Sequence, residues 1–169
     1  MRKILLVTLI VALFSFSCRK QEKSVDKLFS EYEGQEGVSS IKLPPVLFMA
    51  YLKTYEDVPE FSFENVEIIR YMIVDRKKTE ISDKPVLLND ILSELTELQF
   101  EDLMRYSDSG NETIVSILGQ GEIISDLVVL VNNKESLMLI GISGQMKIED
   151  ITRLASEIDF NSLKGFELN

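Results

Sequence analysis

The chain has 169 residues, 45% of them hydrophobic, with 18 basic against 28 acidic side chains, a formal net charge of −10, one cysteine and no histidine. That inventory excludes a Ser-His-Asp or Cys-His catalytic arrangement, a Cys/His zinc centre and a haem held by histidine. The acidic balance also argues against nucleic acid as a partner, because that affinity rests largely on Lys and Arg neutralising phosphates. The largest basic cluster, Arg76, Lys77 and Lys78, reads as a solvated loop.

At the amino terminus, Arg2 and Lys3 precede an apolar run from Ile4 to Phe14, and small residues follow at Ser15 and Ser17. This is the layout of a secretory signal. The run falls short of the roughly 20 apolar residues a spanning helix needs, and Arg19 and Lys20 stop it. Cys18 lies directly after Ser17, which resembles the lipobox of bacterial lipoproteins: cleavage between Ser17 and Cys18 leaves a cysteine that carries acyl chains such as palmitate. Ser15, Phe16 and Ser17 also fit an ordinary signal-peptidase site, whose product would begin with a free thiol. An exported chain with one cysteine has no disulfide partner for it, so lipidation of Cys18 is the expectation. The organisation expected is a signal peptide over residues 1–17, a lipidated cysteine with a short basic tether over 18–24, and one domain over 25–169. From Val25 onward the net charge is −14, whereas Arg19, Lys20 and Lys23 make the tether basic. Basic residues beside a lipid anchor contribute roughly 1 kcal/mol each against anionic headgroups, and an acidic body is repelled by the same surface.

Beyond the tether, Val25, Leu28, Phe29 and Tyr32 recur at helical spacing, with Ser24 as cap and Gly34 as stop, predicting a helix over 25–33. Val38 to Leu43 reads as a strand. Pro44 and Pro45 lead into a helix over 46–53 that is apolar nearly all round and so expected to be buried. Residues 53–65 carry Pro59 and several acids and read as a loop. Val66 to Val74 has the β-branched and aromatic content of a strand covered on both faces, Arg70 excepted. A polar loop with Lys84 and Pro85 then precedes a helix over 88–98, with Leu88, Ile91, Leu92, Leu95 and Leu98 as its inner stripe.

Asp108, Ser109, Gly110 and Asn111 form a turn cluster about which residues 100–107 and 112–119 pair as a hairpin, a helical continuation through Met104 being the competing reading. Two strongly apolar strands, 123–131 and 136–143, flank a turn at Asn132 and Asn133 and belong at the centre of the sheet. Ile148, Ile151, Leu154, Ala155 and Ile158 mark a last helix over 148–158. The expected fold is a single α+β domain, a mainly antiparallel sheet with its helices gathered on one face.

With that order in place, the lipoprotein signal, the early amphipathic helix, the segment Leu103, Met104, Arg105 leading into a hairpin, and Leu137 to Gly144 followed by Lys147, Ile148, Glu149, Asp150 and Ile151 together resemble the DUF4252 family of Bacteroidetes lipoproteins. The resemblance spans most of the chain after the signal. It implies a lipoprotein with a single domain, brings no catalytic motif, and leaves activity open. Surface-displayed lipoproteins of that phylum look, as a class, to carry acidic residues just after the cysteine. Arg19 and Lys20 stand there instead, which favours the outer membrane with the domain facing the periplasm.

Adjacent carboxylates occur at Glu56 with Asp57, Glu101 with Asp102, and Glu149 with Asp150. A glycosidase needs two carboxylates facing each other about 5 to 10 Å apart, but neighbours in a strand point to opposite faces, and acids at a helix start serve the macrodipole. Gly141, Ile142, Ser143 and Gly144 lack the final glycine of a nucleophile elbow, Gln145 standing there, and read as a strand end turning into a helix. Asp108 to Glu112 reads as a turn, without the ligand order of a calcium loop. No catalytic, cofactor or metal residue is assigned. The expected role is a binding or scaffolding module, anchored to a membrane through Cys18, that docks a protein partner. The alternative is a carboxylate-based hydrolase acting on envelope glycans.

Overall fold

The computed structural model describes residues 24–53, 65–78 and 84–157. The expected signal peptide, Cys18, the expected tether up to Lys23, most of the acidic segment with Glu56 and Asp57, and Ile158 lie outside the described residues. Among those described, no helix is long and apolar enough to cross a membrane. The elements in chain order are α1 (Ser24–Ser30), β1 (Val38–Leu43), α2 (Pro45–Leu52), β2 (Val66–Asp75), α3 (Lys84–Glu97), β3 (Glu101–Asp108), β4 (Asn111–Gln120), β5 (Ile123–Asn132), β6 (Ser136–Lys147) and α4 (Ile148–Glu157). The six strands form one sheet in the order β1-β2-β6-β5-β4-β3, and every neighbouring pair is antiparallel. The single α+β domain follows.

Turn chemistry sets the register of the second half. Asp108 faces Asn111 across two residues with positive φ, Ser109 at 51° and Gly110 at 87°, the conformation of the tight hairpin turn whose twist suits paired strands. Residues 101–108 are therefore strand, and the helical reading through Met104 falls away. Between β5 and β6, the side chain of Asn133 accepts from the backbone N–H groups of Glu135 and Ser136, each at 2.9 Å, an Asx-type turn. The two strands it joins occupy the middle of the sheet, as their unbroken hydrophobicity requires.

That same hydrophobicity overturns the expectation of helices on one face. Side chains alternate along a strand, and on β6 Leu137 and Leu139 join one cluster while Met138, Ile140 and Ile142 join the other. Strands apolar on both faces need cover on both. Val25, Leu28 and Phe29 of α1 with Leu87, Ile91 and Leu95 of α3 complete the first cluster. Phe48 of α2 with Ile151 and Ala155 of α4 complete the second.

Other expectations change as well. Helix α2 is not buried all round: Phe48 is buried, but Val46 and Leu47 are 72% and 57% exposed, because a short helix laid on a sheet can turn only one side inward. Helix α3 begins at Lys84 rather than Leu88, since proline in the first helical turn loses no hydrogen bond that the helix would have made. Strand β6 does not end at Ser143 but continues to Lys147 and passes directly into α4, where the backbone N–H of Ile148 donates to the carbonyl of Glu122 at 3.1 Å. Helix α1 is shorter than the periodicity implied, although the N–H of Glu33 still donates to the carbonyl of Phe29 at 3.2 Å. Arg76 is half-buried, and its guanidinium donates to the side chain of Asn132, so only Lys77 and Lys78 of the basic trio are exposed.

Candidate functional site

Helix α1 is the element about which the charged side chains collect. It lies directly over β6 because Gly141 has no side chain: a Cβ there would stand 2.5 Å from Val25 Cγ1 and 2.8 Å from Phe29 Cε2. At the same level of the sheet, Arg70 on β2 pairs with Gly141 on one side and Lys42 on the other. Its Nε donates to Asp26 Oδ1 at 2.6 Å and its Nη1 donates to Glu33. The guanidinium also lies 5.9 Å from the Phe29 ring centroid. With its side chain 13% exposed, Arg70 ties the first turn of α1, through Asp26, to the turn that follows the helix, through Glu33. These are charge-assisted bonds, the stronger kind; the one to Asp26 is well shielded, whereas Glu33 is 43% exposed.

The opposite flank of α1 meets α3, and there the pairing fails. Glu94 is 8% exposed, and neither of its carboxylate oxygens has a hydrogen-bond partner among the described residues. Burial, followed by the negative charge of Glu31, raises its pKa from 4.5 to about 7; Lys27 opposes the rise and Glu97 adds to it. The neighbouring phenol of Tyr32 is raised above its ordinary range, first by burial and then by Glu94, Glu31 and Asp90. Two ionised carboxylates cannot donate to one another. With one proton present, the protonated carboxyl donates to the other, and Glu31 lies within hydrogen-bonding reach of Glu94.

A second buried carboxylate is fully provided for. Asp126 on β5, 7% exposed, accepts from Ser143 Oγ at 2.6 Å through one oxygen and from Ser125 Oγ at 2.9 Å through the other. Ser143 itself is 1% exposed. Ser116 on β4 donates to Asp102 Oδ1 at 2.9 Å. A buried carboxylate with both oxygens occupied meets the ordinary requirement for polar atoms removed from water.

The two acidic pairs that fall within the described residues, Glu101 with Asp102 and Glu149 with Asp150, do not form facing carboxylates. Glu101 and Asp102 lie opposite Ile117 and Ser116 and so face opposite sides of β3, and Asp102 is engaged by Ser116 and by Arg105 Nη2 at 2.9 Å. Glu149 and Asp150 occupy the first turn of α4, as the dipole argument anticipated, with Asp150 accepting from Arg153 at 2.9 Å. Glu31 and Glu94 do approach, but within hydrogen-bonding reach, closer than the roughly 5 to 10 Å of a glycosidase pair. Among the described residues there is no group of three or more metal-binding side chains. Reading the sequence missed Glu94. Its signal was available: the helical stripe of Ile91 and Leu95 brings position 94 to the same face.

An antiparallel sheet clothed by helices on both faces, with its buried polar groups spent mainly on one another, defines a single-domain α+β protein. The chain belongs to DUF4252, a domain of unknown function, whose family model matches residues 32–154, from the turn after α1 into α4. No curated protein and no solved structure matches it.

Proposed function

We propose that the protein is a lipid-anchored lipoprotein of the cell envelope whose domain is a non-catalytic module docking a protein partner. The observation that carries this reading is Cys18, the only cysteine of the chain, at the end of an apolar run and six residues before α1 begins. At about 3.5 Å per residue, six residues reach roughly 20 Å, so an anchor there keeps the domain close to the lipid surface. The basic tether favours the membrane and the acidic domain stands off it, and the same basic residues favour the outer membrane with the domain facing the periplasm. For docking, the support is the adjacent apolar pair left outside on α2, Val46 and Leu47; Tyr106, 54% exposed, lies apart from them on β3 at the other edge of the sheet. Large exposed apolar side chains that cluster are a mark of interaction surfaces.

Intact-mass measurement on membrane-extracted protein tests the anchor. The expected species begins at Cys18 and carries acyl chains, and Cys18→Ala releases the protein from vesicles washed in carbonate. An unmodified Cys18 in the extracted protein refutes anchoring. A photoreactive side chain at Leu47 tests docking in intact cells: one discrete adduct of reproducible mass is expected, and its failure to form at native abundance counts against a partner at α2.

A further inference from the structure

Glu94 poses a physical question that the docking reading does not use: why a carboxyl side chain is buried between α1 and α3 with no hydrogen bond to either oxygen among the described residues. The groups that act on it are Lys27 and Glu31, from α1 and the turn after it, and Glu97 from its own helix; the phenol of Tyr32 alongside feels Glu94, Glu31 and Asp90 in turn. Only Lys27 among them is cationic, and Lys27 is exposed. Metal is a poor answer, because no third ligand accompanies the two carboxylates among the described residues. A proton is a sufficient one: it removes a buried charge, supplies the missing donor, and turns the Glu31–Glu94 encounter from repulsion into a hydrogen bond.

We propose that the α1–α3 contact is a proton-operated latch, in which a proton shared by Glu94 and Glu31 governs how firmly α1 is held to the domain. The other side of α1 is fastened by Arg70 through Asp26 and Glu33, so the switch acts on one flank of a helix whose other flank stays clamped. The sign follows from linkage. With α1 in place, the Glu94 carboxyl keeps its proton up to about pH 7, whereas with α1 detached it regains an ordinary carboxylate value. The detached state therefore loses its proton first as pH rises. Attachment weakens between about pH 4.5 and 7 and is constant above that window. On the lipid-anchored reading, α1 joins tether to domain, so the same proton would set how freely the domain hangs from its anchor. The latch does not depend on that reading.

Hydrogen exchange on the full-length chain in detergent micelles, with intrinsic exchange rates divided out, tests it. Protection of the α1 amides is expected to fall on the order of 10- to 100-fold from pH 5 to pH 7.5, while amides of β5 and β6 change little. Glu94→Gln keeps the shape and supplies a permanent N–H donor to Glu31, so α1 should stay at its acid-side protection throughout. Glu31→Gln, at an exposed position, should leave a shallower dependence by removing one like charge. An α1 profile that is flat in the wild type, or that retains its full slope in Glu94→Gln, overturns the latch. So does a fall shared equally by the whole sheet, which would be global destabilisation. The anchoring reading can fail by mass measurement while the latch stands, and the reverse.

Discussion

Gly141 shows how much one missing methyl group can decide. It sits on β6, at the centre of the sheet, and its neighbours across the layer are Val25 and Phe29, both fully buried. Adding a Cβ 2.5 Å from Val25 Cγ1 cannot be relieved by the swing of a long flexible side chain; α1 has to lift or β6 has to bend. Gly141→Ala is therefore expected to destabilise the domain by about 1–3 kcal/mol, the usual range for overpacking a well-filled core. The loss should concentrate in α1, because α1 supplies both contacts. Urea denaturation measures the first claim and exchange at the α1 amides the second. A variant as stable as the wild type would mean that the helix has slack, which its complete burial of Val25, Leu28 and Phe29 contradicts. A glycine inside a strand pattern signals a close approach of another element, so the approach was legible in the sequence. Its partner was not, since nothing local to residue 141 says that residues 25 and 29 will lie against it.

Among the elements, α3 has the least comfortable ending. Gln99 follows its last turn with φ of 66°, in the left-handed region that costs a residue with a side chain roughly 1–2 kcal/mol. The N–H of Phe100 donates to the carbonyl of Leu95 at 2.9 Å, the long return bond that closes a helix through such a residue, where glycine is the usual occupant. Gln99→Gly should relieve the strain and lose about 0.5–1 kcal/mol to greater freedom of the unfolded chain. The expected net gain is roughly 0.5–1 kcal/mol, read as a higher denaturation midpoint with an unchanged slope. A lower midpoint would show that the glutamine side chain makes a contact worth more than the strain. Most elements were visible beforehand because each carries its own pattern: near-continuous apolar residues in β2, β5 and β6, and a three-and-four spacing in α3 and α4. The boundaries that moved are those set by long-range partners. Strand β6 runs past Ser143 because Lys147 finds Ile123 opposite, and α2 exposes Val46 and Leu47 because the sheet covers only one of its sides.

At the scale of the whole molecule, the arrangement of layers was the part that local sequence concealed. A one-faced sheet and a two-faced sheet can share the same list of elements, and the difference shows only when the inner strands are recognised as apolar on both sides, as Val128 and Val129 on β5 now demonstrate by joining opposite clusters. Charge, by contrast, is a global property that composition reports directly. From Val25 onward the net is −14, and like charges on a folded body repel more strongly than on an expanded chain. The ion pairs work in the other direction. Lys77–Glu135 has both partners largely in water, Lys78–Asp75 its lysine, and exposed pairs of this kind contribute little; Arg70 with Asp26 and Glu33 is better shielded, and salt weakens it less. Added salt screens the repulsion among many surface acids and costs only a few exposed pairs. Raising sodium chloride from about 0.01 M to about 0.15 M, which shortens the screening length from roughly 30 Å to roughly 8 Å, is therefore expected to stabilise the domain by about 1 kcal/mol, or roughly 3–4 °C in melting temperature. Scanning calorimetry at fixed pH 7.5, above the window in which Glu94 titrates, isolates this effect from the latch. A fall in melting temperature over that range would mean that attractive pairing outweighs the net charge, and that the acids are arranged around the cations far more tightly than their surface exposure indicates.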